Sequence, residues 1–253
     1  MRKTLESIFS QTYKEIESII IDGASTDGSL DALIGFEKRI SYIISEPDTG
    51  IYNAMNKGTA QAIGEYCLFL NSGDFLYRTD TLQRIMERKP EADIVYFDVM
   101  IDSGTHQVLG KMPESLSYHL FVEHEIWHQA LIKRNLFERF GLYDESYRLL
   151  GDYEFYVRTI IKNSVSTQYM DITIAVFNTF GIGSRPESRR LAQRERRRAQ
   201  RANLSFWDFY WKFTIQYFIV FKLLRPILKA LLSRELLEKV KKSAGIGQPV
   251  APK

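Results

Sequence analysis

Residues 18–28 read Ser-Ile-Ile-Ile-Asp-Gly-Ala-Ser-Thr-Asp-Gly, and the class of the fold can be inferred from them. Ser18 to Asp22 is almost continuously apolar, which is typical of a strand that is covered on both faces of a parallel sheet. The strand ends in a carboxylate and continues into small residues that can form a turn and cap a helix. This order predicts an α/β protein that binds ligands at the carboxyl ends of its strands.

The alternation of strands and helices continues through the first two-thirds of the chain. Further strands are predicted at Ile40 to Ser45, Tyr66 to Leu70 and Asp93 to Val99. Helices are predicted at Arg2 to Ser10, Ile51 to Ile63 and Thr79 to Arg88. We therefore expect a Rossmann-like, mostly parallel sheet between helices. Because the chain opens with a helix where a doubly wound sheet places a strand, the usual first strand is expected to be missing.

Composition limits the class of protein further. With 253 residues, 45% of them hydrophobic and 26% charged, the chain can bury one sizeable core and carry an appendage. The single cysteine, Cys67, excludes an intrachain disulfide framework and a zinc site built from clustered cysteines. No apolar stretch of the secretory type opens the chain. A reducing, cytoplasmic location is therefore expected.

The net charge of +3 is unevenly distributed, because arginines crowd the segment from Arg185 to Arg201. The pattern predicts a basic linker or helix over 181–203, amphipathic aromatic helices over 204–242 and a disordered tail over 243–253. The aromatic segment is too interrupted by charge for a transmembrane span. Arginines and aromatic residues favour an anionic membrane surface, so a helix lying in the interface is the preferred interpretation.

The C-terminal segment could have partners other than a membrane. The aromatic helix could instead pack on the preceding α/β domain or in a homodimer. Nucleic acid is a poorer partner for the arginines, since no fold or base-stacking motif accompanies them.

Three acids stand where a predicted element ends or begins. Asp22 could accept hydrogen bonds from a base or ribose, and Asp74, in Asn71-Ser72-Gly73-Asp74, could bind Mg²⁺ or Mn²⁺. Asp152 opens a predicted helix and could act as a general base. Glu154 points to a different face, so at most one of these two acids should address a substrate. Each acid could equally be a turn or capping residue.

Trp127-His128-Gln129 forms a further candidate site, in a segment that also contains His124 and Glu125. No His-Glu-x-x-His order occurs, so a zinc hydrolase is not indicated. The tripeptide could stack on a sugar and bond its hydroxyls, or it could be a partly buried polar cluster.

In this order and spacing, the segments resemble family 2 glycosyltransferases with the GT-A fold, over roughly Thr4 to Phe180. Thr4 to Tyr13 resembles the family's first helix, and Ile21 to Gly28 is similar to its Asp-Gly-Ser-Thr-Asp-Gly signature. The stretch from Glu46 to Gly58 is the most specific, and it resembles a subgroup often encoded with polysaccharide, lipopolysaccharide O-antigen or capsule genes. The resemblance implies a GT-A domain over 1–180 and a C-terminal helical tail.

The chain departs from the family at two places. The first strand, which in the family carries a loop against the nucleobase, is expected to be missing. The metal and diphosphate motif usually has acids at its first and third positions, where Asn71 and Gly73 stand here. Metal binding is thereby weakened, although Asn71 still offers a carbonyl oxygen.

The resemblance implies a role for each candidate residue. Asp22 would contact the nucleotide base region, with Asp48 and Asn56 shaping the same pocket. Asp74 would meet the metal and the diphosphate, beside Asn71. Asp152 would be the catalytic base, and Trp127, His128 and Gln129 would contact the acceptor or the diphosphate.

The implied function is inverting transfer of a hexose or N-acetylhexosamine from a nucleoside-diphosphate donor, expected to be UDP-linked, to a lipid-linked glycan. Such a protein would act in cell-surface polysaccharide biosynthesis, peripherally on the cytoplasmic face of a bacterial plasma membrane. The alternative is a catalytically degenerate, membrane-associated partner of a glycan-assembly complex. The four acids Asp22, Asp48, Asp74 and Asp152 favour the enzyme, while the two departures favour the alternative.

Overall fold

The computed structural model describes residues 1–116, 120–205 and 226. The strands in this part of the chain are β1 (Ile19–Asp22), β2 (Tyr42–Ser45), β3 (Tyr66–Leu68), β4 (Phe75–Leu76), β5 (Ile94–Asp102), β6 (Gln107–Gly110), β7 (Leu131–Lys133) and β8 (Thr167–Asn178). The helices are α1 (Arg2–Phe9), α2 (Ile51–Gln61), α3 (Thr81–Glu87), α4 (Leu120–Glu123), α5 (Asn135–Phe140), α6 (Gly151–Tyr156) and α7 (Arg189–Asn203). A π-helical segment, Val157–Lys162, extends α6.

The predicted helices and strands of the first hundred residues agree with the structure to within a few residues at each end. Apolar periodicity located α1, α2, α3 and the strands β1, β2, β3 and β5, whereas β4, β6, β7 and β8 were not predicted. The aromatic helices predicted over 204–242 and the tail over 243–253 lie outside the described residues, apart from 204, 205 and 226.

The strands form two sheets. β1 and β2 pair in parallel and form the smaller sheet. The larger sheet has the order β3-β7-β5-β8-β4, and β6 pairs with the C-terminal part of β5. The expected α/β class is confirmed, but the sheet is mixed. Of the six described pairings, only β1–β2 and β5–β8 are parallel. β6 follows β5 after the short turn Ser103 to His106, and a parallel pair would need a crossover of a dozen or more residues.

An aromatic cluster holds α6 against α2 and α5. Phe137 and Phe155 stack with ring centroids 4.7 Å apart, and Tyr143 packs against both. The Tyr52 ring lies 5.6 Å from that of Tyr143. Aromatic pairs of this kind contribute about 0.5–1.5 kcal/mol each beyond the area they bury. The cluster therefore fixes the start of α6 relative to the start of α2.

α7 packs on α6 through a polar face. Buried residues recur along α7 at helical spacing, namely Glu195, Ala199, Gln200 and Asn203. Asn203 Nδ2 donates to Glu154 Oε1 at 2.9 Å, and Gln200 Nε2 donates to the Tyr153 hydroxyl at 2.9 Å. The predicted basic segment 181–203 is thus helical from Arg189 onward and packs against the rest of the fold.

Within residues 1–116, 120–205 and 226, no helix combines the length and the apolar character that crossing a membrane requires.

Candidate active site

Asp22 ends β1 and is buried there. Its Oδ2 atom accepts hydrogen bonds from the Ser25 N–H at 3.0 Å and from the Ser45 hydroxyl at 2.6 Å. These hydrogen bonds from Ser25 and Ser45 hold the pKa of Asp22 below its ordinary value. A carboxylate that stays ionised at this edge can accept hydrogen bonds from a ribose or a base, as predicted from the end of a parallel strand.

Asp48 lies against the turn that follows Asp22. A β-carbon at Gly23 would come within 2.4 Å of Asp48 Oδ2, so only a glycine allows this close approach. The other oxygen, Oδ1, accepts the N–H of Gly50 at 2.9 Å. The structure therefore brings Asp22 and Asp48 together beyond the carboxyl ends of β1 and β2.

Asn56 is buried on α2 and faces the segment before α6. Its Nδ2 atom donates to the Tyr143 carbonyl at 2.9 Å and to Glu145 Oε1 at 2.9 Å, while Oδ1 accepts the Tyr143 N–H at 3.0 Å. These bonds use both ends of the amide. The amide of Asn56 therefore holds residues 143–145 in place, and its role in shaping the nucleotide pocket stays a prediction.

Asp74 is 3% exposed and joins three segments of the chain. Its Oδ1 atom accepts the N–H of Asn178 at 2.9 Å, at the end of β8. Its Oδ2 atom accepts from Gln129 Nε2 at 2.9 Å and lies 3.0 Å from His128 Nε2. A carboxylate has about four lone pairs, so one remains for a further ligand.

His128 Nε2 also lies 3.2 Å from Asn71 Nδ2. One ring nitrogen cannot donate to the Asp74 carboxylate and accept from the Asn71 amide together. Because the Asp74 carboxylate can only accept, the proton lies on His128 Nε2. The Asn71 amide must then present its oxygen, and not its nitrogen, to the ring. Oxygens of Asn71 and Asp74 then lie on the two sides of the same N–H.

These two oxygens suit Mg²⁺ or Mn²⁺, since such cations take oxygen ligands and complete their coordination with substrate phosphates and water. Within the described part of the chain, no group of three or more His, Cys, Asp or Glu side chains could hold a metal. Two oxygens alone are too few to hold such a cation, so a cation at Asn71 and Asp74 would have to take most of its ligands from the donor diphosphate and water. The role of Asp74 as a metal ligand stays a prediction.

The Trp127-His128-Gln129 segment is only partly accessible to solvent. Gln129 is 1% exposed, and its Nε2 atom donates to Asp74. The half-buried Trp127 ring packs against Phe177 with centroids 5.7 Å apart. Gln129 thus supports Asp74, and its expected contact with acceptor or diphosphate stays a prediction. Trp127 and His128 are half-buried.

Asp152 is the second residue of α6 and is half-buried. Its Oδ1 atom accepts the Tyr52 hydroxyl at 3.0 Å and the N–H of Tyr153 at 2.9 Å. No described residue donates to Oδ2. Glu154, by contrast, is buried and pairs with Arg158 at 2.9 Å. Of the two acids at the start of α6, Glu154 is thus engaged within the fold, and the role of Asp152 toward a substrate stays a prediction.

The predicted residues fall into two groups. The first group comprises Asp22, Asp48 and Asp152. Asp48 lies just before α2, and Tyr52, four residues later on α2, donates a hydrogen bond to Asp152. Among the described residues no hydrogen bond or ion pair links Asp74 to any of these acids. Sequence reasoning missed Tyr52, Glu145 and Asn178. Tyr52 stands in the specific Glu46 to Gly58 stretch, but nothing local indicates that it contacts α6.

Comparison with known proteins agrees with this architecture. The family described as glycosyl transferase family 2 matches residues 1–145. A "PGL/p-HBAD biosynthesis glycosyltransferase" of Mycobacterium tuberculosis is 36% identical over 185 residues, which cover 70% of this chain and 71% of the relative.

Solved structures share the fold. Staphylococcus aureus TarS 1–349 in complex with UDP-GlcNAc matches with a TM-score of 0.59 and 14% identity, over 87% of this chain and 71% of that one. A longer TarS chain matches with a TM-score of 0.60 and 16% identity over 70% of this chain, which spans only 34% of TarS. Together with the family match over more than half of its length, these findings show that the chain belongs to glycosyl transferase family 2 and is a GT-A glycosyltransferase.

Proposed function

We propose that this glycosyltransferase transfers a sugar from a nucleoside-diphosphate donor to an acceptor hydroxyl in a single, inverting displacement. The observation that carries the proposal is the geometry of Asp152, whose Oδ1 atom is fixed by two donors while Oδ2 accepts no hydrogen bond from the described part of the chain. Oδ2 takes the proton of the acceptor hydroxyl as its oxygen attacks the anomeric carbon. The bond from that carbon to the diphosphate breaks on the opposite face, so the configuration inverts.

The donor is proposed to be a UDP-linked hexose or N-acetylhexosamine. Support comes from the ionised Asp22 beside Asp48, which can accept hydrogen bonds from the nucleoside. The TarS structure that shares this fold is a complex with UDP-GlcNAc. Asp74 and Asn71 would hold Mg²⁺ or Mn²⁺ at the diphosphate, where the cation would neutralise negative charge on the leaving group.

Calorimetry with a panel of sugar nucleotides, each in Mn²⁺ and in EDTA, tests the donor and the cation. We expect UDP-sugars to bind at least about tenfold more tightly with Mn²⁺, because the cation bridges protein and diphosphate. Mn²⁺ alone should give no binding, since too few protein ligands converge. Asn71→Asp should increase the difference between Mn²⁺ and EDTA by adding an anionic ligand.

The possible failures of this experiment are separable. Equal affinity for UDP in EDTA and in Mn²⁺ would show that Asp74 does not bind a cation at the diphosphate. It would not contradict the assignment of the protein as a glycosyltransferase. No binding of any sugar nucleotide in either condition would contradict the proposed function itself.

The acceptor is proposed to be a lipid-linked glycan, reached at the anionic cytoplasmic face of a bacterial membrane during cell-surface polysaccharide synthesis. Support comes from an exposed arginine stripe on α7, three or four residues apart, made of Arg190, Arg194, Arg197 and Arg201. None of the four forms an ion pair with another described residue. Like charges at this spacing repel one another, and an anionic surface would offset that repulsion. The homodimer considered above stays a prediction.

Changing Arg194, Arg197 and Arg201 together to glutamine should weaken pelleting with anionic vesicles about 100-fold at 0.1 M salt. Each arginine near such a surface contributes about 1 kcal/mol, and every 1.4 kcal/mol is tenfold. In 1 M salt, where the Debye length falls from ~10 Å to ~3 Å, wild type and variant should become alike. The matched control replaces Arg84, Arg88 and Lys89, which are exposed at the end of α3. Equal loss in the control would show that net charge, not the stripe, sets the affinity.

A further inference from the structure

Tyr52 on α2 touches Asp152 on α6, although the two residues are 100 positions apart in sequence. The tyrosine is 4% exposed, and its hydroxyl donates to Asp152 Oδ1 at 3.0 Å. It is the one side chain among the described residues that donates to this carboxylate. The other donor, the N–H of Tyr153, belongs to the adjacent residue and moves with it.

The residue before Asp152 is shaped to admit this tyrosine. A β-carbon at Gly151 would lie 2.9 Å from three atoms of the Tyr52 ring, which is closer than side chains approach one another. The ring therefore packs flat against the backbone of α6 at the residue preceding the acid. This close approach is independent of the hydrogen bond, and both features place Tyr52 at the same carboxylate.

The surroundings keep the Tyr52 hydroxyl a donor. Burial, and next the charge of Asp152, raise the pKa of Tyr52 well above its ordinary value. Burial likewise raises the pKa values of Tyr143 and Tyr156, the other titratable groups packed around Asp152. The remaining charge that Tyr156 senses is Glu125, which is itself paired with Arg196. Tyr52 thus stays neutral and protonated over the whole range in which a base would work.

We propose that Tyr52 is the positioning residue of the catalytic base. Its hydroxyl anchors Oδ1 of Asp152, so that Oδ2 points to the acceptor hydroxyl and takes its proton. The inference rests on the proposed function, in which Asp152 is the base.

Tyr52→Phe tests the role, because phenylalanine keeps the ring and removes only the hydroxyl. We expect kcat to fall about 10–100-fold, as for loss of a hydrogen bond to a charged group, while UDP affinity stays within about twofold. Tyr96→Phe is the matched control, since Tyr96 is equally buried and its hydroxyl donates to the Pro113 carbonyl at 3.0 Å.

Gly151→Ala supplies a second variant, because an added methyl group displaces the Tyr52 ring. Gly151→Ala should lower kcat, as Tyr52→Phe does. The kcat of the double variant Gly151→Ala, Tyr52→Phe should be no lower than that of the more impaired single variant. Additive losses would indicate that the two residues act separately. Thermal unfolding of all variants reports whether the fold survives.

The outcomes separate the inference from the function on which it rests. If Asp152→Asn is inactive while Tyr52→Phe matches Tyr96→Phe in both kcat and UDP affinity, the positioning role is wrong and the assignment of Asp152 as the base stands. If Asp152→Asn keeps full activity, the proposed function fails first, whatever Tyr52→Phe does.

Discussion

Asp152→Asn should lower the rate of sugar transfer by about 10²–10⁴-fold, the usual contribution of a general base. Asparagine has nearly the same shape, and its carbonyl oxygen can still accept the hydrogen bonds from Tyr52 and the Tyr153 N–H. An amide cannot take the proton of the acceptor hydroxyl, however. The loss should therefore fall on kcat, and the affinity for the nucleotide donor should stay within about twofold.

Transfer rate and donor affinity are measured on the same preparations, and NMR of the product reports the configuration at the anomeric carbon. The matched control is Asp171→Asn, since Asp171 lies exposed on β8. An equal loss of donor binding would indicate that Asp152 binds the nucleotide donor and does not act as the base. A product with retained configuration would contradict single displacement, even if the variant were inactive.

Glu195→Ala should lower the free energy of unfolding by about 3 kcal/mol. Glu195 is 5% exposed and accepts three backbone hydrogen bonds at the entry to α6. Oε1 accepts the N–H of Arg148 at 2.8 Å, and Oε2 accepts those of Leu149 and Leu150, each at 3.0 Å. Alanine would leave these donors, of which the Leu150 N–H is buried, without partners, at a cost of about 1–3 kcal/mol for each that water cannot reach.

Urea unfolding of Glu195→Ala, beside Glu187→Ala as the exposed control, measures this effect. Glu195→Gln should be intermediate, because one oxygen remains and the amide nitrogen faces a donor. Because the three N–H groups directly precede the helix that carries Asp152, transfer activity should also fall in Glu195→Ala. A stability equal to that of Glu187→Ala would mean that α7 does not pack on α6 in solution.

Local chemistry made the class of fold and much of the candidate site predictable. Apolar runs and helical periodicity depend only on neighbouring residues, and they located β1, β2, β5 and α2. An acid at the end of a predicted strand pointed to Asp22, and the family resemblance added Asp48, which the structure places against the turn after Asp22. The order of the motifs along the chain indicated the family, which the comparisons confirm.

Contacts between distant elements were decided only by the tertiary structure. The sequence places Asn56 and Gln129 in polar motifs, but both side chains are buried and bond the protein itself. Tyr52 and Asp152 are separated by 100 positions, and Glu195 lies 45 positions beyond Leu150. No local pattern encodes such partners, because they depend on how α2, α6 and α7 pack. Sequence therefore determined which residues carry chemistry, and packing determined which of them are free to use it.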